Sequence, residues 1–317
     1  MKMRLFLFMG MLLLCVIVSG CAVKPPMIGN QLDAGPRLAV ISAFDRELEK
    51  LRAVAEITDT RTINGRNYFI GKLAGKDVVL ALSGISMVNA AMTTQTLLDH
   101  FTVDGIVFSG IAGGVNPDLN VGDVTVPAQW GEYQEQVFAR QTPKGWDPAG
   151  FAGIFAGDFA NYGMMFPNTV FVNRKGENPD IPEKHFWFHV DAAMLKIAGR
   201  LAGKVHLGRC SAEGECLSVE PKVVVGGNGV SGPTFVDNAD YRRWVWETFR
   251  AEALDMETAA VAHVAYVNRV PFIAFRSLSD LAGGGGGKKN EGAVFFRLAA
   301  DNSAAVVIEF LKEQGER

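Results

Sequence analysis

The chain has 317 residues, 48% of them hydrophobic, enough to bury one large core or two modest ones. Its formal net charge of −3 lacks the basic surplus of a nucleic-acid-binding protein, so no nucleic-acid partner is expected. The five histidines are scattered without metal-ligand spacing, so neither a metal nor a cofactor is expected.

Residues 1–21 read as a targeting segment. Lys2 and Arg4 supply a charged start, and the apolar run 5–18 is too short to span a bilayer comfortably. Val18-Ser19-Gly20-Cys21 resembles the bacterial lipobox, whose cysteine is lipidated and becomes the mature N-terminus. An ordinary cleaved signal peptide or an N-terminal membrane helix is the alternative. Ala22, in place of an aspartate, resembles cargo bound for the outer membrane. The expected address is therefore the bacterial cell envelope, lipid-anchored at the periplasmic face of the outer membrane. Residues 22–36, polar and rich in Pro and Gly, read as a tether. Cys210 and Cys216 then remain, six apart, and a small disulfide-closed loop suits an oxidising compartment. Two free thiols are the plainer reading.

Beyond the tether, 37–42 reads as a first strand and the following segment as a helix. Leu48, Leu51 and Val54 give that helix an inner face. Glu47 falls near its first turn, where the helix dipole favours its charge, and pattern alone leaves it on a solvated face. A hairpin turning at Asn64-Gly65 follows, then a strand over 78–82 and a helix opening behind the glycine turn of 83–91. A buried strand over 106–109 leads into Gly110-Ile111-Ala112-Gly113-Gly114, read as a loop where backbone can approach a ligand. A further strand covers 122–126. The segment 130–220 is rich in aromatics, including Phe151 and Phe155, which suit core or subunit interface better than ligand stacking. Residues 223–230 read as one strand, and Asp237 or Asn238 as the cap of a helix through Phe249.

The apolar stretch 253–256 carries Asp255 and Glu257 at its end. Pro271 opens an apolar run, suited to a strand buried on both faces, that ends in Arg276, Ser279 and Asp280. Two strand ends presenting carboxylates, then glycines 283–287 as a lid or plain surface loop, are the layout of a pocket. A last helix covers about 292–311. Taken singly, Asp280 could be a helix cap, Glu257 a first-turn glutamate and Arg276 a buried ion-pair partner.

Leu254-Asp255-Met256-Glu257-Thr258-Ala259-Ala260, together with Arg276-Ser277-Leu278-Ser279-Asp280, resembles the paired signature of the nucleoside phosphorylase superfamily. Within it, the methylthioadenosine/S-adenosylhomocysteine nucleosidases match best in chemistry. The resemblance runs from Arg37 to about Lys312, apart from an enlarged insertion at about 131–220. Residues 220–231 and 275–284 are also similar to the plant bark and vegetative storage proteins of that superfamily. The resemblance implies an α/β fold: a three-layer αβα sandwich with a central twisted mixed sheet, formed by a single domain over 37–317.

It also implies roles. Glu47 activates the attacking water, Asp280 protonates the departing purine at N7, and Arg276 assists in holding the water. Glu257 grips the ribose 2′ and 3′ hydroxyls above Met256. Phe235 stacks on the purine, Val236 meets the base through its backbone, and Ile85, Ala112, Gly113 and Ser279 complete the nucleoside pocket. The expected partners are a small-molecule nucleoside, a membrane through the lipid anchor, and further copies of the chain in a homodimer or higher homo-oligomer. Two positions depart from the pattern. Phosphorylases carry a phosphate-binding arginine where this chain has Phe108 and a serine where it has Ile111, which makes water a better nucleophile than phosphate. Nucleosidases also use that serine, so a non-catalytic nucleoside-binding or storage-like lipoprotein is the alternative. A phosphate-dependent phosphorylase is a third reading.

Overall fold

Runs of Val, Ile, Leu, Ala and Phe with no polar interruption, at 38–41, 78–81 and 272–275, form strands buried on both faces, as a sheet covered by helices on each side requires. The computed structural model describes residues 32–148, 150, 159–283 and 291–315. Cys21, Phe151, Phe155 and glycines 284–287 lie outside the described residues.

The strand Phe101–Gly114 is the axis of the sheet. On one side it pairs in parallel with Asp33–Ser42, which pairs in parallel with Lys76–Leu82. Arg66–Leu73 and Glu56–Ile63 continue that wing as an antiparallel meander. On the other side Phe101–Gly114 pairs in parallel with Phe272–Asp280; past the end of Asp33–Ser42, on that strand's edge, its last residues pair antiparallel with Ala251–Asp255. Asn228–Ser231, Gln129–Gly131 and Trp187–His189 extend the sheet beyond Ala251–Asp255. The sheet is mixed, as expected.

Helices cover both faces. The first helix α1 (Asp45–Val54), α3 (Ala192–Gly199) and α6 (Gly292–Glu313) pack on one side through Leu48, Leu51, Met194, Ala198 and the Val306-to-Leu311 stretch. On the other side α2 (Met87–His100) and α5 (Thr258–Asn268) bury Ala90, Leu97 and the alanine-rich face of 259–265. The remaining helix, α4 (Ala239–Phe249), is capped by Asn238, whose Oδ1 accepts from the Tyr241 amide at 2.9 Å.

Four details differ from the sequence reading. The glycine-rich run 110–114 is the end of a strand, because Gly110, Ile111 and Ala112 pair with Arg276, Ser277 and Leu278. The strand expected over 223–230 is broken at Gly226 and Gly227, both with positive φ, into Val223–Val225 and Asn228–Ser231. The first strand begins at Asp33 and so takes in the end of the expected tether. Val54, assigned to the inner face of α1, is 56% exposed, because it is the last residue of the helix and the chain becomes extended at Ala55.

In the described part of 131–220, three two-stranded ribbons precede α3. Its aromatics serve packing: Phe186 stacks on Phe249, Phe159 packs tilted against both, and Tyr162 packs against Tyr241 and Trp244. Cys210 and Cys216 are joined by a disulfide. We expect both cysteines to resist alkylation in the purified protein until it is reduced, which non-reducing peptide mapping checks.

Candidate active site

Arg276 is the centre of the site, and it is fully buried. The strand Phe272–Asp280 carries it into the sheet, with its guanidinium 4.1 Å above the Phe108 ring. Three carboxylates surround it. Its Nε lies 2.6 Å from Asp255 Oδ2, its Nη2 3.5 Å from Glu257 Oε2 and its Nη1 3.6 Å from Glu47 Oε1. Gly110 makes this possible: a Cβ there would collide with both Arg276 Nη1 and Glu47 Oε1.

Glu47 is 1% exposed, not solvated as its helical position alone suggests. The amides of Ala43 and Ile111 donate to its two oxygens at 2.6 and 2.7 Å. Burial pushes its proton affinity up, and the nearby Arg276 and these amides pull it back. Ile111 thus supplies a backbone donor where a serine side chain was expected to matter.

Glu257 accepts from the Ser86 amide at 2.7 Å. Its pKa is pushed up to about 7, first by burial and then by the Asp255 charge, against the pull of Arg276. Asp255 accepts from Ser231 Oγ at 2.5 Å, from the amides of Glu257 and Thr258, and from the Thr258 hydroxyl. Asp280, at the end of its strand, is buried and accepts from Ser279 Oγ and the Ala282 amide, each at 2.8 Å. A register shift after Leu278 places Asp280 opposite Gly113. A Cβ on Gly113 would lie 3.3 Å from Asp280 Oδ1, so the glycine leaves room for the carboxylate.

These groups converge on a cavity of about 290 Å³. Glu47, Ile85, Ala112, Phe235, Val236, Met256, Glu257, Ser279 and Asp280 all line it, as the sequence reading grouped them. Two do not. Arg276 stands behind the carboxylates, and Gly113 acts as a spacer under Asp280. Phe235 is 59% exposed, at the open side. The sequence reading assigned no role to Asp255, Phe44, Thr234 or Phe296, which also line the cavity. Asp255 carried a signal, as the third acid of the cluster. Phe296 carried none, since it reaches the cavity from α6, whose course back over the sheet is not written in its local pattern.

Several known proteins are similar to this chain over most of their length. A 5′-methylthioadenosine/S-adenosylhomocysteine nucleosidase of Bacillus thuringiensis (strain Al Hakam) is 29% identical over 87% of this chain and 99% of its own. The Neisseria meningitidis nucleosidase of that name, solved with methylthio-immucillin-A, is 28% identical at a TM-score of 0.63, covering 87% of this chain and 98% of its own. That of Colwellia psychrerythraea, solved with adenine, is 25% identical at a TM-score of 0.64, covering 87% and 94%. The profile of the Phosphorylase superfamily matches residues 37–312, and the chain belongs to that superfamily.

Proposed function

We propose that the protein hydrolyses the N-glycosidic bond of an adenosine-type purine nucleoside, releasing free base and a ribose derivative. The observation that carries this reading is that Glu47, Glu257 and Asp280 line one cavity of nucleoside scale. The nucleosidase relatives, one solved with adenine, support the choice of base.

Cleavage leaves positive charge on the sugar and excess electron density on the base. Protonated Asp280 donates to the purine N7, and the anion left behind is held by the Ser279 hydroxyl and the Ala282 amide. Glu257, once ionised, accepts from the ribose hydroxyls above Met256 and favours the charge developing on the ring. Glu47, its proton affinity raised by burial, takes the proton from water. Arg276 acts through the carboxylates it orients. Phe235 and Val236 would face the base.

Water is preferred to phosphate because Phe108 underlies Arg276 and Ile111 offers only its amide to Glu47. Incubating the purified protein with a nucleoside panel should release free base at a rate that added phosphate leaves unchanged. Release only with phosphate would indicate a phosphorylase, and binding without release the non-catalytic alternative. Ile111→Ser is expected to raise hydrolysis severalfold if water positioning limits the rate, as steady-state kinetics would register.

The address proposed for this enzyme is the cell envelope, anchored through lipid on Cys21 and supported by the sequence Val18-Ser19-Gly20-Cys21. Cys21→Ala or globomycin treatment should leave unprocessed precursor without palmitate label. A homodimer or larger homo-oligomer is supported by the exposed apolar side chains Ile85 and Phe235 at the cavity, with Val88 and Met92 on α2. Light scattering on the purified protein tests it.

A further inference from the structure

Arg276 brings one positive charge to three buried carboxylates, those of Glu47, Asp255 and Glu257. Holding all three ionised leaves an excess of negative charge in a low-dielectric setting, which is costly unless one of them takes a proton. The contacts decide which keeps its charge. Asp255 accepts from Arg276, the hydroxyls of Ser231 and Thr258, and two amides at the start of α5. That is the best-satisfied anion of the three, and it also meets the positive end of a helix. Glu257 has one amide at 2.7 Å and Arg276 only at 3.5 Å. Glu47 has two close amides but a distant guanidinium.

We propose that Asp255 is the positioning residue of this site: it clamps the Arg276 guanidinium between Glu47 and Glu257, and by keeping its own charge it assigns the cluster's shared proton to Glu257. The groups that face Glu257 are Asp255 from the preceding strand end, Arg276 from the strand Phe272–Asp280, Glu47 from α1 and the Ser86 amide before α2. Their balance agrees with the elevated proton affinity of Glu257, in which the Asp255 charge stands second only to burial. The consequence for turnover rests on the nucleosidase reading. Protonated Glu257 is a poorer acceptor for the ribose hydroxyls, so substrate affinity should weaken as pH falls below about 7.

The test compares the full wild-type chain with Asp255→Asn and Asp255→Glu, using carboxyl-labelled glutamate followed by NMR across pH. In wild type the Glu257 signal should titrate near 7. In Asp255→Asn its midpoint should fall by ~1 pH unit, because the neighbouring negative charge is gone. Asp255→Glu should keep the midpoint near the wild-type value. In parallel, the pH at which KM begins to rise should move down in Asp255→Asn, and kcat should drop ~10-fold or more in both variants as Arg276 loses its clamp. A merely structural aspartate would lower activity at every pH without moving either midpoint. Such a result in a folded Asp255→Asn, shown by a cooperative thermal melt, overturns the proposal. Should that variant fail to fold, a wild-type Glu257 that titrates in the ordinary glutamate range overturns it equally. The NMR arm needs no turnover, so a midpoint that moves in a protein releasing no base would sink the nucleosidase reading and leave this one standing.

Discussion

Asp280→Asn should fold, bind a purine nucleoside with nearly wild-type affinity, and release base at least ~100-fold more slowly. The amide keeps the shape of the carboxylate and still has an oxygen for the Ala282 amide. The Ser279 hydroxyl, free to rotate, can accept from the new Nδ2. What disappears is the transferable proton, and without it the purine departs as a poor leaving group. Equilibrium binding of a non-hydrolysable analogue, measured beside single-turnover release of base, separates the two effects. A variant that hydrolyses at the wild-type rate would remove Asp280 from the chemistry.

Arg276→Met should destabilise the protein by ~3–5 kcal/mol near neutral pH and abolish turnover. Methionine fills much of the space above Phe108, but three buried carboxylates lose their shared cation. The loss should depend on pH with a definite sign. Glu257 holds its proton up to about 7 in the folded state but ionises at the ordinary glutamate value when unfolded. Between those limits the folded chain binds more protons than the unfolded one, so stability falls as pH rises through that window. Without Arg276 opposing it, the folded-state value climbs further, and the fall extends to higher pH. Denaturant melts of variant and wild type from pH 5 to 8 should therefore diverge with increasing pH. A constant difference would mean that the carboxylates do not sense the guanidinium.

Much of the site was legible because its residues cluster in two short stretches whose ends the sheet brings together. Asp255 with Glu257, and Arg276 with Asp280, sit at strand ends that could be read from apolar runs. The burial of Glu47 was not legible in the helical pattern, since a first-turn glutamate usually faces solvent. It is buried because Gly110, far away in sequence, lets Arg276 and Glu47 share a space no side chain could enter. The glycines of 110–114 suggested a loop for the same local reason, their lack of side chains. In fact those glycines let a central strand run past bulky neighbours while keeping its pairing. Phe296 could not be found at all, because its place depends on how α6 returns over the finished sheet.

The carboxylates of this pocket are held largely by main-chain amides, those of Ala43 and Ile111 on Glu47, of Ser86 on Glu257 and of Ala282 on Asp280. Any residue except proline carries such a donor. Mutational tolerance at these places should then follow backbone geometry more than side-chain chemistry. At position 86, where φ is +78°, glycine should be accepted most readily and proline rejected. Side chains at these donor positions can therefore be exchanged while the acids stay oriented. Sequence identity is accordingly a poor gauge of how well such a pocket has been kept, and the proline profile of a saturation scan is a better one.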